Sequence, residues 1–424
     1  MFTAAATAGL VSVGCDVIDV GIVPTPTVQL AVEHHRAAGG VILTASHNPI
    51  EWNALKFVGP TGVFLDSAAG NRVVQLAGDG ALPRADHAGL GAVRVDAQAV
   101  ERHVAAVLRL RAAAAARVRR RRFTVALDTV RGAGGAVMPE LLRRLGCRVR
   151  GVNLEPDGRF PRPPEPVPEH LGDLGRLVKK SRADLGIAVD PDVDRLAIVD
   201  EDGRAIGEDY TLAFAVRAVL GPHPLSPSPF RRGGTHSGSP LSRRERGTGG
   251  EDIVVCNLST SLVVEDAARD CGATVVRTPV GEAHVAARMN ELGAPIGGEG
   301  NGGVMYPALH VGRDAPVAAA LALALLARER QTVAELVDAA PRYVIVKNKA
   351  PRGAALEPVY AGLRRRFPDA TVDTQDGLRL AWPDRWLHVR PSNTEPIVRF
   401  IAEAPTRADA ERLVEEGRRS CAAS

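Results

Sequence analysis

Residues 186–199 read Gly186-Ile187-Ala188-Val189-Asp190-Pro191-Asp192-Val193-Asp194-Arg195-Leu196-Ala197-Ile198-Val199. Two apolar runs flank a six-residue turn. Runs without alternating polar positions are the pattern of strands covered on both faces. The turn carries carboxylates at i, i+2 and i+4, a spacing that aims three hard oxygen ligands at one divalent cation. Glu201 falls at the twelfth position of an EF-hand count, but Arg195 stands sixth, where that loop needs glycine. The flanks are also strands rather than helices, so the EF-hand is excluded. A solvated acidic loop is the plainer alternative, yet buried flanks would leave three like charges repelling one another without a cation among them.

The alternation continues outward. Val17–Val20, Val41–Ala45, Phe123–Asp128, Asp184–Val189, Ile253–Asn257 and Thr274–Arg277 read as short strands. Helical patterns separate them: Pro26–Arg36 with Thr25 as N-cap, Met138–Leu145, His170–Ser181, Ser261–Arg269, Glu282–Leu292 and Ala315–Arg328. That rhythm predicts parallel sheets with crossover helices. After about residue 340 it changes. Strands at Tyr343–Lys347, Leu378–Trp382, Trp386–Arg390 and Val398–Ala402 follow closely, with helices at Leu356–Arg366 and Arg407–Arg418. This predicts a separate α+β domain. Phe2–Val13 reads as a helix with no strand before it, so the first α/β domain is expected to lack its opening βαβ piece.

Composition bounds the function. The 424 residues suggest about three domains. An apolar fraction of 45% excludes a disordered chain. Five cysteines without a CxxC pair exclude a cysteine zinc site and a disulfide scaffold, and fit a reducing, cytoplasmic location. The longest apolar run, Ala315–Ala327, is 13 residues, short of the ~20 that span a membrane. No Lys or Arg precedes Arg36, so the charged start of a signal peptide is missing. The net charge of +4 belongs to residues 221–250; the remainder balances at 48 against 48. No nucleic-acid or membrane partner is therefore expected. Residues 221–250 are rich in Pro, Ser, Gly and Arg, with no apolar period, and read as a surface insertion. Arg117 and Arg119–Arg122 read as the close of an Ala-rich helix, where cations offset the helix dipole.

Three further loops carry chemistry. Thr44-Ala45-Ser46-His47-Asn48-Pro49 ends a strand, where ligands bind in open α/β sheets. Ser46 reads either as a nucleophile or phosphate carrier beside His47, or as a turn residue. Lys56 reads as a proton-transfer or phosphate-facing group, or as an exposed strand lysine. Gly297-Gly298-Glu299-Gly300-Asn301-Gly302-Gly303 lets backbone approach a ligand, with Glu299 and Asn301 suited to sugar hydroxyls; a flexible loop is the alternative. Arg390-Pro391-Ser392-Asn393-Thr394-Glu395-Pro396, followed by Arg399, gathers a guanidinium, hydroxyls and amides suited to a phosphate dianion.

In order along the chain, TASHNP (44–49), DPDVDR (190–195), GEGNGG (298–303) and RPSNTEP (390–396) resemble the loops of the α-D-phosphohexomutases. That family comprises phosphoglucomutases, phosphomannomutases and phosphoglucosamine mutases. Pro24-Thr25-Pro26, Thr278-Pro279-Val280-Gly281 and Gly312-Arg313-Asp314 look familiar too. The resemblance covers nearly the whole chain outside 221–250. It implies three similar α/β domains with mixed and parallel sheets, the first truncated, plus a smaller C-terminal α+β domain around a central cleft. The expected boundaries are 1–97, 98–204, 205–335 and 340–424.

The resemblance also implies a reaction: interconversion of a hexose 6-phosphate and a hexose 1-phosphate through a phosphoserine enzyme and a bisphosphate intermediate. Ser46 would carry the phosphoryl group. Mg²⁺ would be held by Asp190, Asp192, Asp194 and an oxygen on Ser46. Arg195 would stabilise the transferring group, and His47 and Lys56 would handle protons or contact phosphate. Glu299 and Asn301 would hold the sugar. Arg390, Ser392, Asn393, Thr394 and Arg399 would grip the other phosphate. A hexose bisphosphate would be activator and intermediate, a sugar phosphate the partner, and the protein a monomer or homodimer. The GEGNGG form resembles phosphoglucosamine mutases; phosphomannomutase or phosphoglucomutase activity is the alternative.

Departures are present. Ala54 stands where a Gly usually precedes Leu-Lys, Gly303 where some members carry His, and Glu282 where many carry His. An Arg-bearing N-terminal loop is not seen. A weakly active or inactive sugar-phosphate binder is thus one rival reading, and a metal-dependent phosphatase using Ser46 is another.

Overall fold

The computed structural model describes residues 1–48, 51–78, 83–221, 252–352, 355–392 and 395–422. The proposed insertion at 221–250 lies, apart from Gly221, outside the described residues. The chain forms two compact units, Met1–Thr211 with Gly302–Val333, and Leu212–Asn301 with Ala334–Ser424.

In the first unit a four-stranded sheet runs Arg148–Val152, Thr124–Asp128, Leu185–Val189, Leu196–Val199. The first three strands are parallel and the last is antiparallel to its neighbour. Leu185–Val189 and Leu196–Val199 are buried at every position, as their unbroken apolar runs require. Helix Gly172–Ser181 lays Leu174 and Val178 against Ala126, Ala188 and Val199. Helix Gly134–Arg144 buries Val137, Met138, Leu141 and Leu142, a helical stripe.

Helix Ala315–Glu329 is buried from Ala315 through Ala327. It packs on helices Ala99–Arg109, Ala115–Arg121 and Gly134–Arg144. A helix apolar on all sides belongs inside a core, and no helix among the described residues is long and apolar enough to cross a membrane. Asp314 caps it, accepting from the Val317 amide at 2.9 Å. The Ala-rich helix expected before residue 123 is Ala115–Arg121, preceded by the separate helix Ala99–Arg109. Leu110 is extended and Ala114 left-handed between them, and Arg119–Arg121 do lie in the last turn of the second.

Residues before 97 form two separate strand pairs among the described residues. Val17–Asp19 pairs parallel with Val93–Val95, and Gly40–Leu43 pairs antiparallel with Leu55–Val58. Helix Phe2–Ser12 buries no residue. Of the exposed large apolar side chains among the described residues, all but Val372 precede residue 96.

In the second unit, strands Ala273–Thr278, Asp252–Asn257 and Ile296–Glu299 run parallel, with helices Leu262–Asp270 and Glu282–Leu292 between them in sequence. The C-terminal sheet is antiparallel, in the order Val344–Pro351, Ile397–Ala404, Trp386–Pro391, Leu378–Ala381, Thr371–Asp373. One face carries Leu378, Leu380, Leu387, Val389, Val398 and Phe400 against Val359 and Leu363 of helix Glu357–Arg366 and Leu413 and Val414 of helix Arg407–Ala422. Register puts Arg379 opposite His388, Trp386 opposite Glu403, and Arg390 opposite Arg399 on the other face. That face is polar yet largely buried, which demands partners for its polar groups.

Candidate active site

The acidic turn is closed locally. Val193 adopts φ 62 and its amide bonds the Asp190 carbonyl at 3.2 Å. The Arg195 amide donates to Asp190 Oδ1 at 3.1 Å. One oxygen from each of Asp190, Asp192 and Asp194 lies within 4.8 Å of the others. Asp190 and Asp194 are fully buried and Asp192 nearly so.

Cations crowd the cluster. Lys56 Nζ lies 2.5 Å from Asp192 Oδ2 and 3.7 Å from Asp194 Oδ2. Arg313 Nη2 donates to Asp194 Oδ2 at 2.6 Å, and Arg195 Nε is 3.8 Å from Asp194 Oδ1. Burial disfavours charge on Asp194, but Arg313, Lys56 and Arg195 prevail and hold its carboxyl below the usual range. Burial also opposes charge on Lys56; Asp194 and Asp192 outweigh it and raise the pKa. Asp190 is different. Burial, then Asp192 and Asp194, push its carboxyl well above the ordinary value. Asp190 Oδ2 and Asp194 Oδ1 are buried acceptors without a hydrogen-bond partner. Orphaned carboxylate oxygens in so close a cluster suit a hard divalent cation such as Mg²⁺.

Ser46 stands beside this cluster. It adopts φ 52, a conformation costing a non-glycine residue roughly 1–2 kcal/mol, and Thr44 Oγ1 accepts its amide at 2.8 Å. Ser46 Oγ donates to Asp192 Oδ1 at 3.2 Å and lies 3.3 Å from His47 Nδ1. Burial, reinforced by Arg195, pushes His47 down to about 4. His47 Nε2 is 4.0 Å from Glu165 Oε1, which accepts from Arg195 Nη1 at 3.1 Å. Ser46, His47, Lys56, Arg195 and the three aspartates are thus together in one unit.

Thr25 is not the N-cap expected of it. Pro24 holds that position. Thr25 is buried as the first helical residue, its amide bonding the Asp192 carbonyl at 2.9 Å and its hydroxyl Asp192 Oδ2 at 3.5 Å. A threonine whose hydroxyl serves another loop is not available to cap its own helix. Arg313, noticed only within Gly312-Arg313-Asp314, turns out to neutralise Asp194.

The second unit holds the remaining residues. Glu299 is buried, and its Oε1 accepts from Asn257 Nδ2 at 2.8 Å and the Gly281 amide at 3.2 Å. Asn301 follows at the end of the glycine-rich turn, half-buried. Arg390 is buried; its Nε donates to Asp376 Oδ2 at 2.7 Å, while its Nη2 has no hydrogen-bond partner. Ser392 Oγ accepts the Glu395 amide at 3.3 Å. Arg399 is exposed and paired with Glu395 at 3.0 Å. Asn393 and Thr394 lie outside the described residues. Asn257 and Asp376 carried no motif, so sequence reasoning missed them.

Comparison with known proteins gives the family of the chain. Family models described as phosphoglucomutase/phosphomannomutase, alpha/beta/alpha domains I, II and III, match residues 1–81, 101–203 and 240–343. The C-terminal domain model matches 343–420. The chain is 37% identical over 412 residues to a phosphoglucomutase/phosphomannomutase of Thermococcus kodakarensis, covering 96% of this chain and 84% of that one. It is 36% identical to a probable phosphoglucosamine mutase of Methanopyrus kandleri, covering 97% and 85%. A solved phosphoglucomutase/phosphomannomutase family protein of Burkholderia thailandensis superimposes with TM-score 0.77 at 26% identity, over 99% of this chain and 86% of that one. The chain belongs to the phosphoglucomutase/phosphomannomutase family and is a phosphohexomutase, an isomerase with three α/β/α domains and a C-terminal domain.

Proposed function

We propose that the chain interconverts a hexosamine 6-phosphate and its 1-phosphate, with glucosamine phosphate the preferred sugar. The observation that carries the mechanism is Ser46 Oγ, held by a left-handed turn 3.2 Å from the Asp192 carboxylate. Ser46 carries the phosphoryl group. Asp190, Asp192 and Asp194 would hold Mg²⁺, with an oxygen on Ser46; the ion would supply charge stabilisation for the phosphoryl group in flight. The orphaned oxygens of Asp190 and Asp194 support that assignment.

As the sugar hydroxyl bonds to phosphorus, the bond from phosphorus to Ser46 Oγ breaks, and the hydroxyl proton ends on the departing Ser46 Oγ. His47, neutral at pH 7 because burial pushes its pKa down to about 4 and 3.3 Å from Ser46 Oγ, relays that proton. Lys56, held charged by the aspartates, donates to the phosphoryl oxygens instead, as does Arg195. The resulting bisphosphate reorients and returns its other phosphate to Ser46. Arg390, with an unpartnered buried Nη2, grips the phosphate that is not reacting, with Ser392, Asn393, Thr394 and Arg399. Glu299 and Asn301 take the sugar hydroxyls.

The glucosamine preference rests on the GEGNGG form and on the probable phosphoglucosamine mutases among the relatives. We place the domain boundaries near 97, 204 and 335–340. We place the enzyme in the cytoplasm as a monomer or homodimer without nucleic-acid or membrane partners.

The test is turnover of the purified chain with Mg²⁺ and a hexose bisphosphate primer. Glucosamine 6-phosphate, mannose 1-phosphate and glucose 1-phosphate are run side by side while inorganic phosphate is monitored. Isomerisation without phosphate release, abolished by Ser46→Ala, is expected. Net phosphate release would mean a phosphatase, and a folded chain without turnover a sugar-phosphate binder.

A further inference from the structure

Two carboxylates in the second unit divide one loop between them. The Val280 amide donates to Asp376 Oδ2 at 3.1 Å, and the next amide, Gly281, donates to Glu299 Oε1 at 3.2 Å. Asp376 Oδ2 also takes Arg390 Nε at 2.7 Å. The loop Thr278-Pro279-Val280-Gly281 therefore stands between the carboxylate that faces sugar and the arginine that faces phosphate.

A second path runs parallel. Asn257 donates to Glu299 through Nδ2 and accepts the Ser259 amide at 2.9 Å and the Thr260 hydroxyl at 3.1 Å through Oδ1. Thr260 Oγ1 accepts the Gly300 amide at 3.1 Å. Ser259 Oγ lies 2.8 Å from His388 Nδ1, and His388 Nε2 lies 2.7 Å from the Asp376 carbonyl. A carbonyl only accepts, so Nε2 carries the proton and Nδ1 accepts from Ser259. Burial keeps this imidazole neutral, its pKa pushed down to about 4. The tautomer is thus fixed by its neighbours.

We propose that Asp376 is a positioning residue. It orients Arg390 so that its remaining donors face the phosphate, and it registers that arginine to the sugar-reading Glu299 through Val280-Gly281 and through His388-Ser259-Asn257. The proposal rests on Arg390 holding the non-reacting phosphate. A guanidinium fixed at Nε keeps its planar fork in one orientation. A guanidinium released from Asp376 would turn about its stem and meet the phosphate in many orientations.

Removing Asp376 also removes a negative charge near the phosphate, so the test must separate geometry from charge. Asp376→Asn and Asp376→Ala lose the same charge, but only Asn keeps a side-chain oxygen for Arg390 Nε and the Val280 amide. KM and kcat of the full chain are measured for the sugar phosphate, with Arg390→Ala as a third variant and thermal melts on all. The expected result is a KM raised tenfold or more by Arg390→Ala and by Asp376→Ala, and within about threefold of wild type for Asp376→Asn. The Asn and Ala variants should differ much less in kcat. Equal KM for Asp376→Asn and Asp376→Ala, with Arg390→Ala impaired, overturns the positioning role alone. An unchanged KM for Arg390→Ala removes the phosphate reading of Arg390 and this proposal with it. If Asp376→Ala does not fold, Ser259→Ala serves: its KM should rise about threefold at constant kcat, and an unchanged KM overturns the proposal.

Discussion

Replacing Asp190 by Asn should separate what the acidic turn costs the fold from what it gives the chemistry. Asp190 is fully buried, has an orphaned Oδ2, and shares a 4.8 Å cluster with two other carboxylates. Lys56 is within 4 Å of Asp192 and Asp194, and Arg313 of Asp194, whereas neither has an ion pair of that length with Asp190. At 4.8 Å and an effective dielectric of 20, two like charges repel by ~3.5 kcal/mol. Asn keeps an oxygen for the Arg195 amide and removes the charge. In chelator, the variant should therefore be no less stable than wild type.

The difference should grow with pH. Wild-type Asp190 has its folded pKa raised, so the folded state retains a proton that the unfolded state has lost above pH ~4. Metal-free wild-type stability then falls as pH rises through the folded value, whereas the variant lacks this slope. A gain of about 1–3 kcal/mol at pH 8, shrinking towards pH 4, is expected from urea unfolding in EDTA. Added Mg²⁺ at a hundred times its Kd should stabilise wild type by ~2.7 kcal/mol and the variant far less, with turnover lost. A variant less stable than wild type in EDTA at every pH, or equally stabilised by Mg²⁺, would refute this account.

Three other outcomes are expected. Leu323, fully buried in helix Ala315–Glu329, should cost about 2–5 kcal/mol when cut to Ala, read by denaturant melts, with KM unchanged. The imidazoles of His47 and His388, both near pKa 4, should remain neutral at pH 6 by nitrogen NMR. Their stability contribution should fade as pH drops from ~6.5 towards 4, and titration near 6.5 would contradict the burial described. Glu403 accepts from Ser261 Oγ, the Leu262 amide at 2.8 Å and Trp386 Nε1 at 2.6 Å. Glu403→Gln keeps one oxygen for the Leu262 amide and Trp386 Nε1 but replaces the acceptor of the Ser261 hydroxyl with an NH2 group, and should lose roughly 1–3 kcal/mol, with altered tryptophan fluorescence on melting.

What was readable in the sequence was what lies close in sequence. Asp190, Asp192 and Asp194 stand two residues apart, so one turn fixes their proximity whatever surrounds it. The buried strands on either side were visible because nothing polar interrupts them. Lys56 and Arg313 reach the same turn from distant segments, and nothing local says which carboxylate each will meet. Thr25 looked like a cap because caps are local, but a tertiary partner claimed its hydroxyl. The start of the Ala-rich helix at Ala115 depends on left-handed Ala114, which alanine does not advertise. The three-residue strand Thr371–Asp373 was missed because it is short and mostly exposed. Asp376 and His388 form no pattern of their own; only the polar face of the C-terminal sheet gives them meaning.

The chain leaves the first compact unit at residue 212, re-enters it at 302 and leaves again after 333. The returning piece includes helix Ala315–Glu329, buried through thirteen consecutive positions. During synthesis, the helices it covers emerge from the ribosome well before it does. Their inner faces then have no permanent partner until the chain has grown from Arg144 to Ala315. The first unit is therefore completed late, after much of the second has been made, and a stop at residue 211 would yield a piece without its centre. For this chain, the order of translation and the order of folding are not the same.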